Sequence, residues 1–262
     1  MSPVRDAVVA DPAGTLLALD FDGTLAHIVD DPTQAYAQEH AVAALSRLGG
    51  VLGQVAIITG RPVAQALELG GFVGLDGLDR LIILGQYGAE RWRATDGEPA
   101  PIERPDAIVR LVEVLPGWLA GHGAGHVRLE DKGLAVAIHT RGIDPQSLTS
   151  LAAPLSELAD ELGLVVEPGR QVMELRTPGA DKGYALRGLV EETGARHVIF
   201  AGDDLGDLPA FEAVEALRGE GLDGLLICSA SAEQDALVAR ADIVLDGPDA
   251  VATWLEELAD EF

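Results

Sequence analysis

The chain has 262 residues, 48% of them apolar and 23% charged, enough to bury one large core or two smaller ones and too apolar for intrinsic disorder. Its formal net charge of −25 repels phosphate backbones and anionic headgroups, which excludes nucleic acid and membrane surfaces as expected partners. Apolar runs such as Leu16 to Leu19 and Val55 to Ile58 fall far short of the roughly 20 residues that cross a bilayer. No apolar stretch with a small-residue cleavage site follows Arg5 and Asp6, so a cytoplasmic protein is expected.

Leu16 to Leu19 reads as the first strand, and Tyr36 to Leu48 as a helix closed by Gly49 and Gly50. Val55 to Ile58 follows as a strand, Pro62 opens another helix, and Leu81 to Leu84 is a third strand. Between about residues 101 and 176 the pattern changes. Helices are expected near Ala107 to Leu119 and Gln146 to Leu162, the second kinked or split at Pro154. Around them the apolar period becomes two. Val127, Leu129, Leu134, Val136 and Ile138 would share one face of a hairpin turning at Asp131-Lys132-Gly133, with Arg128, Glu130 and His139 on the other. A second hairpin runs from Leu164 through Pro168-Gly169 to Arg176, with Glu174 and Arg176 on one face. The alternation of strand and helix then resumes: helix Asp181 to Thr193, strand Val198 to Ala201, helix Leu208 to Leu217, strand Gly224 to Cys228, strand Ile243 to Leu245, and a closing helix to about Leu258. The expected fold is α/β. Residues 1–100 and 177–262 form a core with a parallel sheet, and 101–176 form an inserted α+β module.

The segment Leu19-Asp20-Phe21-Asp22-Gly23-Thr24-Leu25 stands at the carboxyl end of the first strand, where open α/β sheets bind ligands. Two carboxylates two residues apart suit in-line attack on phosphorus by one and proton transfer at the leaving oxygen by the other. The chain's two lysines, Lys132 and Lys182, both lie in Asp-Lys-Gly, which reads either as turn chemistry, since Asp and Gly mark turns, or as sites that need an ammonium point charge rather than a guanidinium. The single cysteine, Cys228, excludes an intramolecular disulfide and a thiolate metal cluster, and reads as core.

The DxDGT segment resembles the first motif of the haloacid dehalogenase superfamily. Three further stretches resemble its other motifs in order: Ile57-Ile58-Thr59-Gly60-Arg61-Pro62, Asp181-Lys182-Gly183 and Gly202-Asp203-Asp204-Leu205-Gly206-Asp207. The resemblance implies a Rossmann-like core in which Asp20 is the nucleophile and Asp22 the general acid and base. Thr59 would hydrogen-bond the phosphoryl group and Lys182 would neutralise its charge. An acidic cluster aimed at Asp20 needs a cation, and hard oxygen ligands beside phosphate favour Mg²⁺, held by Asp20, the Asp22 carbonyl and Asp203 with Asp204 or Asp207.

The insertion between the second and third motifs is the place of a C2-type cap, which in that superfamily reads the leaving group. Within the C2-capped members the chain is similar to the trehalose-6-phosphate phosphatase family, through Leu84 to Glu90, Leu129 to Leu134, Val172 to Arg176 and the run Leu25 to Pro32. That resemblance implies Glu130, Lys132 and Glu174 on sugar hydroxyls and phosphate, with Arg61 facing the phosphate or the cap. It also implies a small-molecule sugar phosphate as partner and functional coupling to a trehalose-phosphate synthase. The oligomeric state is left open, a monomer being compatible. In the fourth motif Gly206, Leu208 and Pro209 replace the family's usual threonine and two acids, so the neighbours that orient the ligands differ while Asp203, Asp204 and Asp207 stay. The alternatives are a C2-capped phosphatase for another sugar phosphate, of sucrose-phosphate or mannosyl-phosphoglycerate type, a phosphomutase, or a non-catalytic sugar-phosphate-binding regulatory protein.

Overall fold

The structure, a computed structural model, describes residues 3–100, 103–140, 145–169, 172–179, 181–230 and 235–262. The chain divides into two compact units, Met1–Ala100 with Asp181–Phe262, and Pro101–Ala180. The first unit opens with α1 (Pro3–Ala10), β1 (Thr15–Leu19), α2 (Glu39–Gly49), β2 (Gln54–Ile58), α3 (Val63–Gly70), β3 (Ile82–Gly85) and β4 (Glu90–Arg93). The second contains α4 (Asp106–Gly121), β5 (Arg128–Asp131), β6 (Ala135–His139), α5 (Pro145–Leu162), β7 (Val165–Gly169) and β8 (Val172–Arg176). The chain returns to the first unit with α6 (Lys182–Thr193), β9 (His197–Gly202), α7 (Leu208–Gly219), β10 (Asp223–Ser229), α8 (Asp235–Val238), β11 (Ile243–Leu245) and α9 (Gly247–Ala259). None of these helices is long and apolar enough to cross a membrane.

In the first unit the strands lie in the order β11-β10-β9-β1-β2-β3-β4, parallel except for β4, which runs antiparallel along the β3 edge. Both faces of the central strands are covered, which is why β1 and β2 read as continuous apolar runs. Leu17, Leu19, Ile57 and Ile199 pack beneath α2 and α9, whereas Leu16, Ala18, Ile58 and Phe200 pack beneath α6 and α7. The chain leaves β1 toward β2, while β9 pairs with the other edge of β1. That divergence opens a crevice at the carboxyl end of β1, the position of Asp20.

The sequence pattern overran in one place and fell short in two. Residues 36–38 are not helical, because the amides of Ala37 and Gln38 are spent on the Leu69 and Leu25 carbonyls, so α2 starts at Glu39. Neither α1 nor β4 had a readable signal: α1 buries only Val8, and β4 only Trp92.

The second unit is an antiparallel sheet in the order β5-β6-β8-β7, with α4 and α5 on one face. Ile108, Leu111, Leu115 and Leu119 form the buried stripe of α4, at the spacing a 3.6-residue helix requires. They meet Val136, Ile138 and Leu175 from the sheet and Leu151, Leu155 and Ala159 from α5. Of the two forms expected at Pro154, a kink or a split, the split is not found: α5 runs through Pro154 as a single element. The strand β7 continues through Pro168 and Gly169, the pair expected to turn, and residues 170–171 lie outside the described residues.

The other face of this sheet is polar. The register places Glu130 opposite Ala137, Ala137 opposite Glu174, and Glu174 opposite Glu167, so three carboxylates share one row. Each is met by a nearby nitrogen: His139 Nε2 lies 2.8 Å from Glu130, Arg176 donates to Glu167 at 2.7 Å, and Lys132 is ion-paired with Glu174. The alternation expected for Glu130, His139, Glu174 and Arg176 therefore holds in the register. Glu174 is buried, and its second oxygen meets no hydrogen-bond donor among the described residues.

Candidate active site

Asp20 follows β1 directly, and its amide donates to the Ala201 carbonyl of β9 at 2.9 Å, which fixes its backbone in the crevice. Lys182 reaches it from the first turn of α6. That helix is started by Asp181, whose side chain accepts the Tyr184 amide at 2.7 Å. The Lys182 ammonium lies 2.6 Å from Asp20 Oδ1 and 2.7 Å from Asp207 Oδ1. Gly183, the third residue of the Asp-Lys-Gly triplet, is there for space. A Cβ at that position would sit 2.3 Å from the Pro209 carbonyl oxygen, so only glycine lets α6 approach the first turn of α7 this closely.

Asp207 is fully buried and uses both oxygens. One accepts from Lys182, and the other accepts the amides of Asp203 at 2.9 Å and Asp204 at 3.2 Å. The loop after β9 is thus folded around the Asp207 carboxylate. Asp204 in turn accepts the Gly206 amide at 2.8 Å, and Pro209 occupies the first turn of α7, where its missing N–H costs nothing. The atypical Gly206 and Pro209 consequently serve the turn and the helix start. Opposite this loop, Gly23 has φ +75°, and a Cβ on it would lie 2.1 Å from the Asp203 carboxylate, so that residue too must be glycine. Ser229, at the end of β10, donates to the Gly23 carbonyl at 2.5 Å. Sequence reasoning missed this serine, which carries no motif and is recognisable only once β10 is placed near β1.

Burial first, and then the charges of Asp207 and Asp204, hold the Asp20 carboxyl well above the usual carboxylate range against the opposing pull of Lys182. Burial followed by Asp20, Asp207 and Asp204 pushes Asp203 up to about 10, and burial with Asp207 raises Asp204. Burial alone would lower the Lys182 ammonium, but the Coulombic pull of Asp20, Asp207 and Asp204 outweighs it and the group is held well above its ordinary value. One ammonium therefore faces four carboxyl groups, three of which burial and mutual repulsion hold back from ionising, and a divalent cation would favour their ionised forms. Asp20, Asp203 and Asp207 each offer an oxygen within 4.8 Å of the others, an all-oxygen set suited to a hard cation. Asp20 and Asp203 are the better donors of the three, since Asp207 is already engaged on both sides.

These shifts fix the sign of the pH dependence. Asp203 keeps its proton in the folded state up to about 10 and loses it near 3.9 when unfolded, so between those values the unfolded chain binds fewer protons. Stability of chelator-treated protein is thus expected to fall as pH rises from about 6 to 9. Saturating Mg²⁺ at 100 times its dissociation constant is expected to add about 2.7 kcal/mol and flatten that slope. Thermal melts with and without chelator check both points, and a melting temperature indifferent to Mg²⁺ at pH 8 would contradict the cation site.

Thr59 follows β2 directly and is buried, with its Oγ1 accepting the Arg61 amide at 3.1 Å. Asp22 does not join the buried cluster. Its two oxygens are gripped by Arg61, Nε to Oδ2 at 2.7 Å and Nη2 to Oδ1 at 2.6 Å. Arg61, expected to face phosphate or cap, grips a carboxylate of its own unit. Glu130, Lys132 and Glu174 lie together on the polar sheet face of the second unit.

A sequence model of the trehalose-phosphatase family matches residues 18–236. A curated trehalose-phosphate phosphatase of Mycolicibacterium paratuberculosis is 32% identical over 250 residues, covering 92% of this chain and 61% of that protein. The chain thus spans about three fifths of the length of that relative. Among solved structures, a trehalose-6-phosphate phosphatase related protein aligns with a TM-score of 0.70 at 25% identity, covering 94% of this chain and 97% of that one. A haloacid dehalogenase-like hydrolase from Bacteroides thetaiotaomicron, 18% identical, shares the fold with a TM-score of 0.66 over 93% of this chain and 99% of its own. With the four motifs in order, the acidic crevice at the end of β1 and a family match over most of its length, the chain belongs to the trehalose-phosphatase family.

Proposed function

We propose that the protein is a Mg²⁺-dependent phosphatase that hydrolyses trehalose 6-phosphate to trehalose and phosphate. The observation that carries this reading is the buried arrangement of Asp20, Lys182 and Asp207 with Asp203 beside them at the carboxyl end of β1. In the first step an Asp20 oxygen attacks phosphorus in line, the bond from phosphorus to the sugar oxygen breaks, and Asp22 gives that oxygen a proton. In the second, Asp22 takes a proton from water, whose oxygen attacks phosphorus and releases phosphate from Asp20. Lys182 and Thr59 stabilise the charge spread over the three equatorial oxygens. A cation held by Asp20, the Asp22 carbonyl and Asp203, with Asp207 and Asp204 as supports, would supply further neutralisation of that charge. Lys132, Glu130 and Glu174 are assigned to the sugar. Glu174 Oε2, buried and without a donor among the described residues, is an acceptor that a sugar hydroxyl would satisfy. The substrate would come from a trehalose-phosphate synthase.

The test is phosphate release with Mg²⁺ from trehalose 6-phosphate, sucrose 6-phosphate, glucose 6-phosphate and mannosyl-3-phosphoglycerate, with Asp20→Asn as the blank. Preference for trehalose 6-phosphate supports the proposal. Preference for another compound reassigns the substrate while keeping the chemistry, and silence on all four favours a binding protein. Lys132→Ala is expected to lower kcat/KM for the disaccharide phosphate by about 10²-fold, since it leaves Glu174 buried without its cation. Hydrolysis of a generic aryl phosphate should change far less. Equal losses on both would remove Lys132 from the specificity set.

A further inference from the structure

Asp22 and Arg61 are an unequal pair. The Asp22 side chain is 38% exposed and the Arg61 side chain 9%, so the arginine is the fixed member and the acid is the one being held. Arg61 is fixed from several directions. Its guanidinium lies over the Phe21 ring at 5.5 Å, its amide donates to Thr59 Oγ1, and its carbonyl accepts the Gln86 amide at 2.9 Å. The next amide, Tyr87, donates to the Thr59 carbonyl, also at 2.9 Å. Gln86 and Tyr87 have φ of +48° and +61°, and among the described residues no other non-glycine residue has a positive φ. Two consecutive side-chain-bearing residues in that region are unfavourable, and such strain is kept where the surroundings over-determine it, commonly beside a reacting group. Here the strained turn aims two successive amides at the carbonyls of Thr59 and Arg61. Glu90, just beyond it, accepts the Val63 amide at 2.8 Å and ties the following helix to the same turn.

We infer that Arg61 is the positioning residue of Asp22, and that the Gln86-Tyr87 turn is the anchor that holds Arg61 in place. A two-toothed guanidinium grip sets both the direction and the plane of a carboxylate, which a single ammonium contact does not. Arg61 thereby decides where the proton of the leaving sugar oxygen, and later of the attacking water, is exchanged. This rests on the proposed role of Asp22 as general acid and base.

The experiment compares Arg61→Ala, Asp22→Asn and the double variant on the substrate selected by the four-compound panel, with inorganic phosphate as a competitive probe. Arg61→Ala is expected to lower kcat by about 10²-fold, with KM and the inhibition constant of inorganic phosphate within roughly two-fold of the parent. The double variant should be no slower than Asp22→Asn, and added guanidinium ion should restore part of the lost rate in Arg61→Ala but none in the double variant. Should Arg61→Ala fail to fold, Arg61→Lys keeps the charge without the two-toothed grip and is expected to show the same split between kcat and KM. A rise of about 10-fold or more in KM and in the phosphate inhibition constant, with kcat preserved, would overturn the inference and make Arg61 a phosphate ligand. So would a double variant that suffers the full Arg61 loss on top of the Asp22 loss. Full activity in Asp22→Asn is a separate result: it would sink the acid and base reading itself.

Discussion

Asp20→Asn is expected to lower turnover by about 10⁴-fold or more while raising the melting temperature of the metal-free protein. The activity loss follows from removing the oxygen that attacks phosphorus, for which an amide is no substitute. The stability gain has a different origin. Asp20 is buried with Asp203 and Asp207 around one lysine, with Asp204 half-buried beside them, and burial together with the neighbouring acids already disfavours its charge. Asparagine removes a carboxyl whose ionisation the site opposes and still offers an oxygen to Lys182. Phosphate release and melting in the presence of chelator check the two halves separately. Substantial residual hydrolysis would end the covalent mechanism, and a lower melting temperature would show that the Lys182 contact outweighs the repulsion.

Lys182→Met is the complementary case, and it is expected to be damaging in both respects. It strips the cation from between Asp20 and Asp207, both buried, and leaves Asp207 Oδ1 with no compensating charge. Removing one member of a buried ion pair costs about 3–5 kcal/mol, because the remaining charge stays desolvated. Turnover should fall by about 10³-fold, as expected for loss of a group aimed at the developing charge. Mg²⁺ should recover part of the lost stability and little of the rate. Denaturant unfolding with and without Mg²⁺, alongside single-turnover kinetics, measures these effects. A variant as stable as the parent in chelator would mean that Asp20 and Asp207 share a proton once the lysine is gone.

Much of this architecture could be read along the chain. The central strands announce themselves because they are covered on both faces, and the hairpin of Arg128 to His139 because its period of two separates Leu129 and Ile138 from Glu130 and His139. The acidic residues that meet at Asp20 were legible for another reason: Asp20 and Asp203 each follow a strand directly, Asp204 and Asp207 lie in the loop just after β9, and the order of the strands brings them to one crevice. What could not be read depends on contacts without a period. Arg61 and Asp22 lie 39 positions apart, and nothing in their spacing says that the guanidinium turns toward the acid. Ser229 reaches Gly23 across 206 positions. The non-helical start at Tyr36 is set by hydrogen bonds to Leu25 and Leu69, which local propensity does not register.

The glycine at 183 bears on how the site meets its ligand. Because the backbone of α6 rests against the Pro209 carbonyl, Lys182 is held between two carboxylates by the meeting of two helices rather than by the freedom of its own four-carbon stem. A lysine side chain loses on the order of 2 kcal/mol of rotamer entropy when it is immobilised. In this protein that loss occurs when the chain folds, so none of it is left to oppose the arrival of a phosphoryl group.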